Sequence, residues 1–151
     1  MTARADTRDL TALILEVFRL NGALIVAGDR LVADLDLTSA RWQVLGAIAL
    51  SPTPEPVAWL ARAMGLHRQG VQRIVNELEA EGIVLLAENP HHRRARLVQL
   101  TRKGEALYRE ASRRQTPWAK RLAKGFDVKA IVSTQTLLKS LRERLEQALE
   151  E

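Results

Sequence analysis

The chain has 151 residues, enough for one compact domain or one domain with an extension. Its composition, 46% apolar and 27% charged, is that of a core-forming protein, and its formal charge of +5 favours a polyanionic partner without naming one. It has no cysteine, which excludes disulfides, zinc fingers and thiol-based redox sensing. No apolar run approaches the ~18 residues that span a bilayer. The opening MTARADTRDL lacks the apolar stretch of a secretory signal, so a cytoplasmic protein without a membrane partner is expected.

Residues Asp9 to Leu35 predict a long helix. Leu10, Ile14, Val17, Leu24, Leu31 and Leu35 recur at helical spacing, and Asp6 or Thr7 can cap the start. Such a helix is about 40 Å long at 1.5 Å per residue, which is long for a domain of this size. Its apolar stripe therefore calls for a partner helix outside the local fold. Gly22 and Gly28 weaken the helix slightly, or permit a bend or a close helix contact.

Thr38 or Ser39 caps a second helix over Ala40 to Leu50, with Trp42, Val44, Leu45 and Ile48 inward. The prolines of SPTPEP stop it. Val57 to Met64 predicts a short third helix, ended by Gly65.

The next stretch, LHRQGVQRIVNELEAEG (66–82), carries the chemistry. At about 100° per residue, Val71, Ile74, Val75 and Leu78 fall in one arc of about 100°. Arg68, Gln69, Gln72, Arg73 and Asn76 fall in an opposing arc of about 140°, with no carboxylate before Glu77. Arginine suits the O6 and N7 of guanine, and the amides suit adenine, in a major groove. The same arginines can instead grip phosphate, which positions without specifying. A solvated amphipathic helix is the plainer alternative. Helix, glycine turn, helix over Val57 to Glu81 is the spacing of a helix-turn-helix.

Ile83 to Leu86 and Leu97 to Leu100 predict a hairpin whose tip, AENPHHRRAR, concentrates His91, His92, Arg93, Arg94 and Arg96. A solvated loop usually mixes its charges. A wing that enters a minor groove or grips phosphate explains the concentration better. Thr101 caps a final helical section, Arg102 to Lys124 and then Asp127 to Glu150, interrupted by Pro117, Gly125 and Phe126. Leu138, Leu141, Leu145 and Leu149 form a stripe with little in this chain to bury it. A dimer with interleaved terminal helices would bury both ends at once.

In this order of elements the chain resembles the MarR family of bacterial winged-helix regulators. LTSARWQVL is similar to the family's second-helix motif. VAWLARAMGLHRQGVQRIVNELEAEGIV is similar to its helix-turn-helix, and NPHHRRARLVQLTRKGEAL to its wing and fifth helix. The resemblance covers nearly the whole chain. It implies a mainly α fold with a small β-hairpin wing. It also implies a single MarR-type domain over 1–151, with dimerisation helices at about 7–35 and 102–150 and a DNA-binding lobe at about 38–100.

The resemblance further implies a homodimer of triangular outline straddling a pseudo-palindromic site on double-stranded DNA. The dimer contacts would include Leu10, Ile14, Val17, Leu138, Leu141, Leu145 and Leu149. Arg68, Gln69, Gln72, Arg73 and Asn76 would lie in the recognition helix, and Arg94, helped by Arg93 and Arg96, in the wing. Two positions depart from the family pattern. His92 stands where an aspartate usually holds the wing arginine. His67 stands where Ser or Thr usually caps the recognition helix, which predicts a weaker cap and adds a candidate DNA contact.

Members of this family often release DNA on binding a small molecule. Arg41 beside Trp42 could take an aromatic or carboxylate effector, although a core Trp and a surface Arg are the simpler reading. No cofactor and no metal site is expected. There are only three histidines, and His91 and His92 are adjacent on a hairpin, where side chains point apart. No phosphate loop, metal-ligand spacing or nucleophile elbow suggests an enzyme. The rival classes are a winged helix used for protein interaction and an architectural DNA-binding module without effector control.

Overall fold

The structure, a computed structural model, describes residues 6–150. It forms two compact units, 1–115 and 116–151. The first five residues of the opening stretch lie outside the described residues.

In the first unit, α1 spans Thr7–Val32 and runs into a 3₁₀ turn at Ala33–Leu35. Asp6 caps α1 by accepting from the Arg8 N–H. The second helix, α2 (Ser39–Leu50), is capped by Thr38, whose Oγ1 accepts from the Arg41 N–H at 3.2 Å. Asp29 of α1 adds a second cap, accepting from the Ser39 N–H at 2.6 Å. Ser39 is buried, and its hydroxyl donates to the Ile25 carbonyl at 2.7 Å, so the junction leaves that polar group satisfied. Gly28 faces this hydroxyl: a Cβ there would overlap Ser39 Oγ. The glycine thus serves a close helix contact.

Glu55–Pro56 forms a short strand, β1, before α3 (Val57–Met64). The proline-rich SPTPEP thus both stops α2 and supplies a strand. Proline is tolerated here because β1 lies at the edge of the sheet, where a missing N–H breaks no ladder. Gly65, at φ 64, ends α3 in the left-handed region that favours glycine. The Leu66 N–H then bonds back to the Ala61 carbonyl at 2.9 Å, which turns the chain into α4 (Arg68–Ala80).

The wing strands are β2 (Val84–Ala87) and β3 (Leu97–Leu100), antiparallel with Val84 opposite Leu100 and Ala87 opposite Leu97. With β1 they make a three-stranded sheet in the order β1-β3-β2. Thr101 caps α5 (Arg102–Ala123) by accepting from the Gly104 N–H.

The core lies between these elements. Leu45, Leu60, Leu78, Val32, Val44, Val71, Val75, Val84 and Val98 are the largest fully buried side chains. They come from α2, α3, α4, the two wing strands and the end of α1. Besides Val32, Leu31 packs against this core, whereas most of the apolar residues earlier in α1 do not. Leu10, Leu15, Val17, Phe18, Leu20, Leu24, Ile25 and Val26 are all exposed, Phe18 to 70%. Averaged over its most apolar 18 residues, the segment Thr7–Leu35 has a mean hydropathy of 1.8 and is long and apolar enough to cross a membrane by length and composition. Uninterrupted apolar runs do not reveal this, because charges such as Glu16 and Arg19 break the run without lowering the average much.

In the second unit, α5 continues through Pro117, where an interruption is expected from the sequence. One backbone bond is lost there, but the helix is long and the affected stretch is exposed, so water can satisfy the freed carbonyl. The last helix, α6 (Val128–Glu150), buries no residue. Leu145 and Leu149 are exposed to 58% and 87%, whereas Leu138 and Leu141 are half-buried.

Candidate nucleic-acid interface

The α4 helix separates its two faces as its periodicity predicts. Val71, Ile74, Val75 and Leu78 are buried. On the opposite side, Arg68, Gln69, Gln72, Arg73 and Asn76 together line one open groove. All of these except half-buried Gln72 are exposed. Among the described residues, neither Arg68 nor Arg73 makes an ion pair or a side-chain hydrogen bond, so both guanidinium groups keep their full donor capacity. Gln72 donates from Nε2 to Asn76 Oδ1 at 2.9 Å, which leaves the Asn76 amide nitrogen and the Gln72 carbonyl outside that bond. A bidentate contact to adenine needs one donor and one acceptor side by side, and this pair supplies both.

His67 caps α4 with its ring. Its Nδ1 accepts from the Gln69 N–H at 3.4 Å, so the imidazole takes the place of a Ser or Thr hydroxyl, through a long bond.

The wing loop is organised by Asn89. Its Oδ1 accepts from the His91 N–H at 3.0 Å and its Nδ2 donates to the Ala95 carbonyl at 2.8 Å, which closes the loop from both sides. His92 makes no side-chain bond among the described residues, and neither do Arg93 and Arg94. Arg94 is therefore not tethered through position 92. Arg96 differs: its Nη2 donates to the Leu86 carbonyl at 3.0 Å, so part of its capacity supports the hairpin itself.

The wing and α4 adjoin. Arg94 and Arg96 line a cleft of about 190 Å³ together with Arg68, Gln72, Leu86 and the start of α3. Three guanidinium groups around one cleft produce a concentrated positive potential suited to phosphate.

Arg41 and Trp42 do not form an open pair. Trp42 is half-buried against the core. Arg41 is bound to Glu81 and to the Asp36 carbonyl, so its guanidinium is already taken by a carboxylate of this chain. Sequence reasoning missed Glu81 because the two residues are 40 positions apart, with no local pattern linking them.

The MarR_2 model of the MarR family matches residues 35–95, the stretch from the α1–α2 turn to the wing. The uncharacterized protein Rv2011c of Mycobacterium tuberculosis is 34% identical over 133 residues, 88% of this chain and 92% of the relative. A MarR/EmrR family transcriptional regulator from Acinetobacter sp. ADP1 superposes with a TM-score of 0.81 at 20% identity, over 91% of this chain and 96% of that one. CouR from Rhodococcus jostii RHA1, solved bound to p-coumaroyl-CoA, superposes with a TM-score of 0.76 at 23% identity, over 92% and 95%. CouR, there called a transcriptional repressor, has also been solved on a 23-mer DNA duplex, with a TM-score of 0.75 at 21% identity over 93% and 99%. The chain belongs to the MarR family of winged-helix, DNA-binding transcription regulators.

Proposed function

We propose that this chain is a ligand-responsive repressor that binds a pseudo-palindromic operator as a homodimer in the cytoplasm. The observation that carries the reading is the groove on α4, lined by Arg68, Gln69, Gln72, Arg73 and Asn76. Its two guanidinium groups are unpaired among the described residues, its amides offer the donor and acceptor that adenine needs, and its neighbour is a cleft ringed by arginines. Arg68, Arg73 and the amides read or flank base edges in the major groove. His67 lies at the start of that helix and adds a contact there. Arg94 and Arg93 reach the minor groove or phosphate, with Arg96 both bracing the hairpin and adding charge. Protein interaction alone would favour an apolar or acidic face, and this one is neither.

Dimerisation accounts for the uncovered apolar surfaces. Leu10, Ile14 and Val17 on α1, and Leu138, Leu141, Leu145 and Leu149 on α6, are exposed or half-buried in the single chain. A second copy covers them. The two recognition helices then lie about one helical turn apart, ~34 Å, which makes the operator a near-palindrome. The expected effector is a small aromatic or carboxylate molecule; CouR, solved bound to p-coumaroyl-CoA, supports the aromatic part of that expectation.

Arg94→Ala tests the wing. Operator affinity should fall by about 1–3 kcal/mol. The unfolding midpoint should not move, because Arg94 is exposed and makes no bond among the described residues. Unchanged affinity at physiological salt would remove the wing from the interface.

A further inference from the structure

The carboxyl end of the recognition helix is held by two cations from other elements. Arg41 on α2 donates from Nη2 to Glu81 Oε2 at 2.6 Å and from Nη1 to the Asp36 carbonyl at 3.0 Å. Lys103 on α5 donates from Nζ to the Glu81 carbonyl at 2.9 Å. Asp36 closes the turn between α1 and α2 in the left-handed region, at φ 54, so its carbonyl is aimed by an uncommon backbone conformation. One guanidinium thereby spans the α1–α2 elbow and the end of α4.

This ion pair differs from an ordinary surface one. The Arg41 side chain is only 14% exposed. Its Nε is buried and has no hydrogen-bond partner among the described residues, while the two terminal nitrogens bond Glu81 and Asp36. A buried donor without a partner carries a desolvation cost, which the rest of the geometry must offset. The elbow has a second tie: Arg114 of α5 pairs with Asp34 in the 3₁₀ turn. The hydrogen bond to Asp34, and then the charges of Asp34 and Glu110, hold the Arg114 guanidinium above its ordinary range. Neither Arg41 nor Glu81 lines the basic groove or the wing cleft.

We infer that Arg41 and Glu81 form a latch that sets the pose of the recognition helix, which makes Arg41 a positioning residue for DNA recognition and not an effector ligand. The inference rests on α4 being the DNA-reading helix. Through the latch, the elbow converts the placement of α1 and α5 into the angle at which α4 meets the groove.

Charge alone and the latch predict opposite signs. If only long-range charge matters, Arg41→Gln weakens DNA binding and Glu81→Gln strengthens it. The latch requires both to weaken operator binding. The measurement is the affinity of each variant for an operator recovered by binding-site selection, and for scrambled DNA of the same length, across a salt series. Thermal unfolding is recorded alongside.

The expected result is a loss of about tenfold in operator affinity for each single variant. The salt dependence should keep its slope, because no phosphate contact is removed. Scrambled DNA should follow charge alone. The double variant Arg41→Glu/Glu81→Arg restores the pair with reversed sign and should recover most of the operator affinity.

Glu81→Gln binding the operator as tightly as the parent, or more tightly, would overturn the latch. So would a folded double variant that recovers nothing. Should the double variant fail to fold, Glu81→Gln decides alone. A parent protein that prefers no operator over scrambled DNA would instead overturn the DNA reading itself, and the latch with it; that failure shows in the parent, whereas the latch's own failure shows only in the variants.

Discussion

Leu78→Ala is expected to lower the unfolding free energy by about 2–5 kcal/mol, out of a total that is typically about 5–15 kcal/mol for a domain of this kind. Leu78 lies on the buried face of α4 and is 0% exposed. Its neighbours in the core come from other elements, including Val44 and Leu45 on α2, Leu60 on α3 and Val84 on β2. Truncation removes the apolar transfer gain and leaves a cavity that these elements cannot fill without moving. Urea unfolding should show a lower midpoint with the same slope, since the surface exposed on unfolding is nearly unchanged. Exposed positions on the same helix, such as Glu79, should tolerate Ala within about 0.5 kcal/mol. A loss below about 1 kcal/mol at Leu78 would mean that α4 is not seated on this core.

Leu145→Asp should convert the proposed dimer to a monomer at micromolar concentration. Leu145 is 58% exposed in the single chain, on a helix that buries no residue there. In the proposed dimer it is covered, and a carboxylate there must be stripped of water without a partner. That penalty amounts to several kcal/mol per site and occurs twice in a symmetric interface. Sedimentation should give half the parent mass, with helical content preserved. Operator affinity should fall by orders of magnitude, because two half-sites are no longer engaged by one linked particle. A variant that remains dimeric would show that the interface lies elsewhere, and Leu10→Asp on α1 would then locate it.

Several features of the fold were legible in the chain because they are local. The α4 stripe follows from a period of 3.6, and Thr38 and Thr101 cap helices through bonds within three residues. Gly65 ends a helix where the left-handed turn needs it, and the clustered arginines mark the hairpin between two β-branched and leucine-rich runs. The features that were not legible are those that depend on distant partners. β1 contains a proline and pairs only because β3 is beside it. Pro117 is tolerated because a long exposed helix can lose one bond, which composition does not reveal. His67 caps α4 only when its ring turns back over its own helix.

Arg41 is the clearest case within the site. Its neighbour Trp42 suggested an aromatic acid, yet the carboxylate that Arg41 binds is Glu81 of the same chain. A charge beside an aromatic residue is a weak sign of a pocket until its own ion pair is known. The recognition face behaved differently. Its five side chains share a groove because one helix presents them at fixed angles, so the helical period alone brings them together.

The most direct measurement is a fluorescence anisotropy titration with the DNA upstream of this protein's own gene, against scrambled DNA, at two salt concentrations. Tight binding that prefers the upstream DNA and weakens steeply with salt is the predicted result, since several arginines displace counterions from phosphate while α4 reads bases. Absence of binding to either DNA at low salt would contradict the assignment of the α4 groove and the wing to DNA.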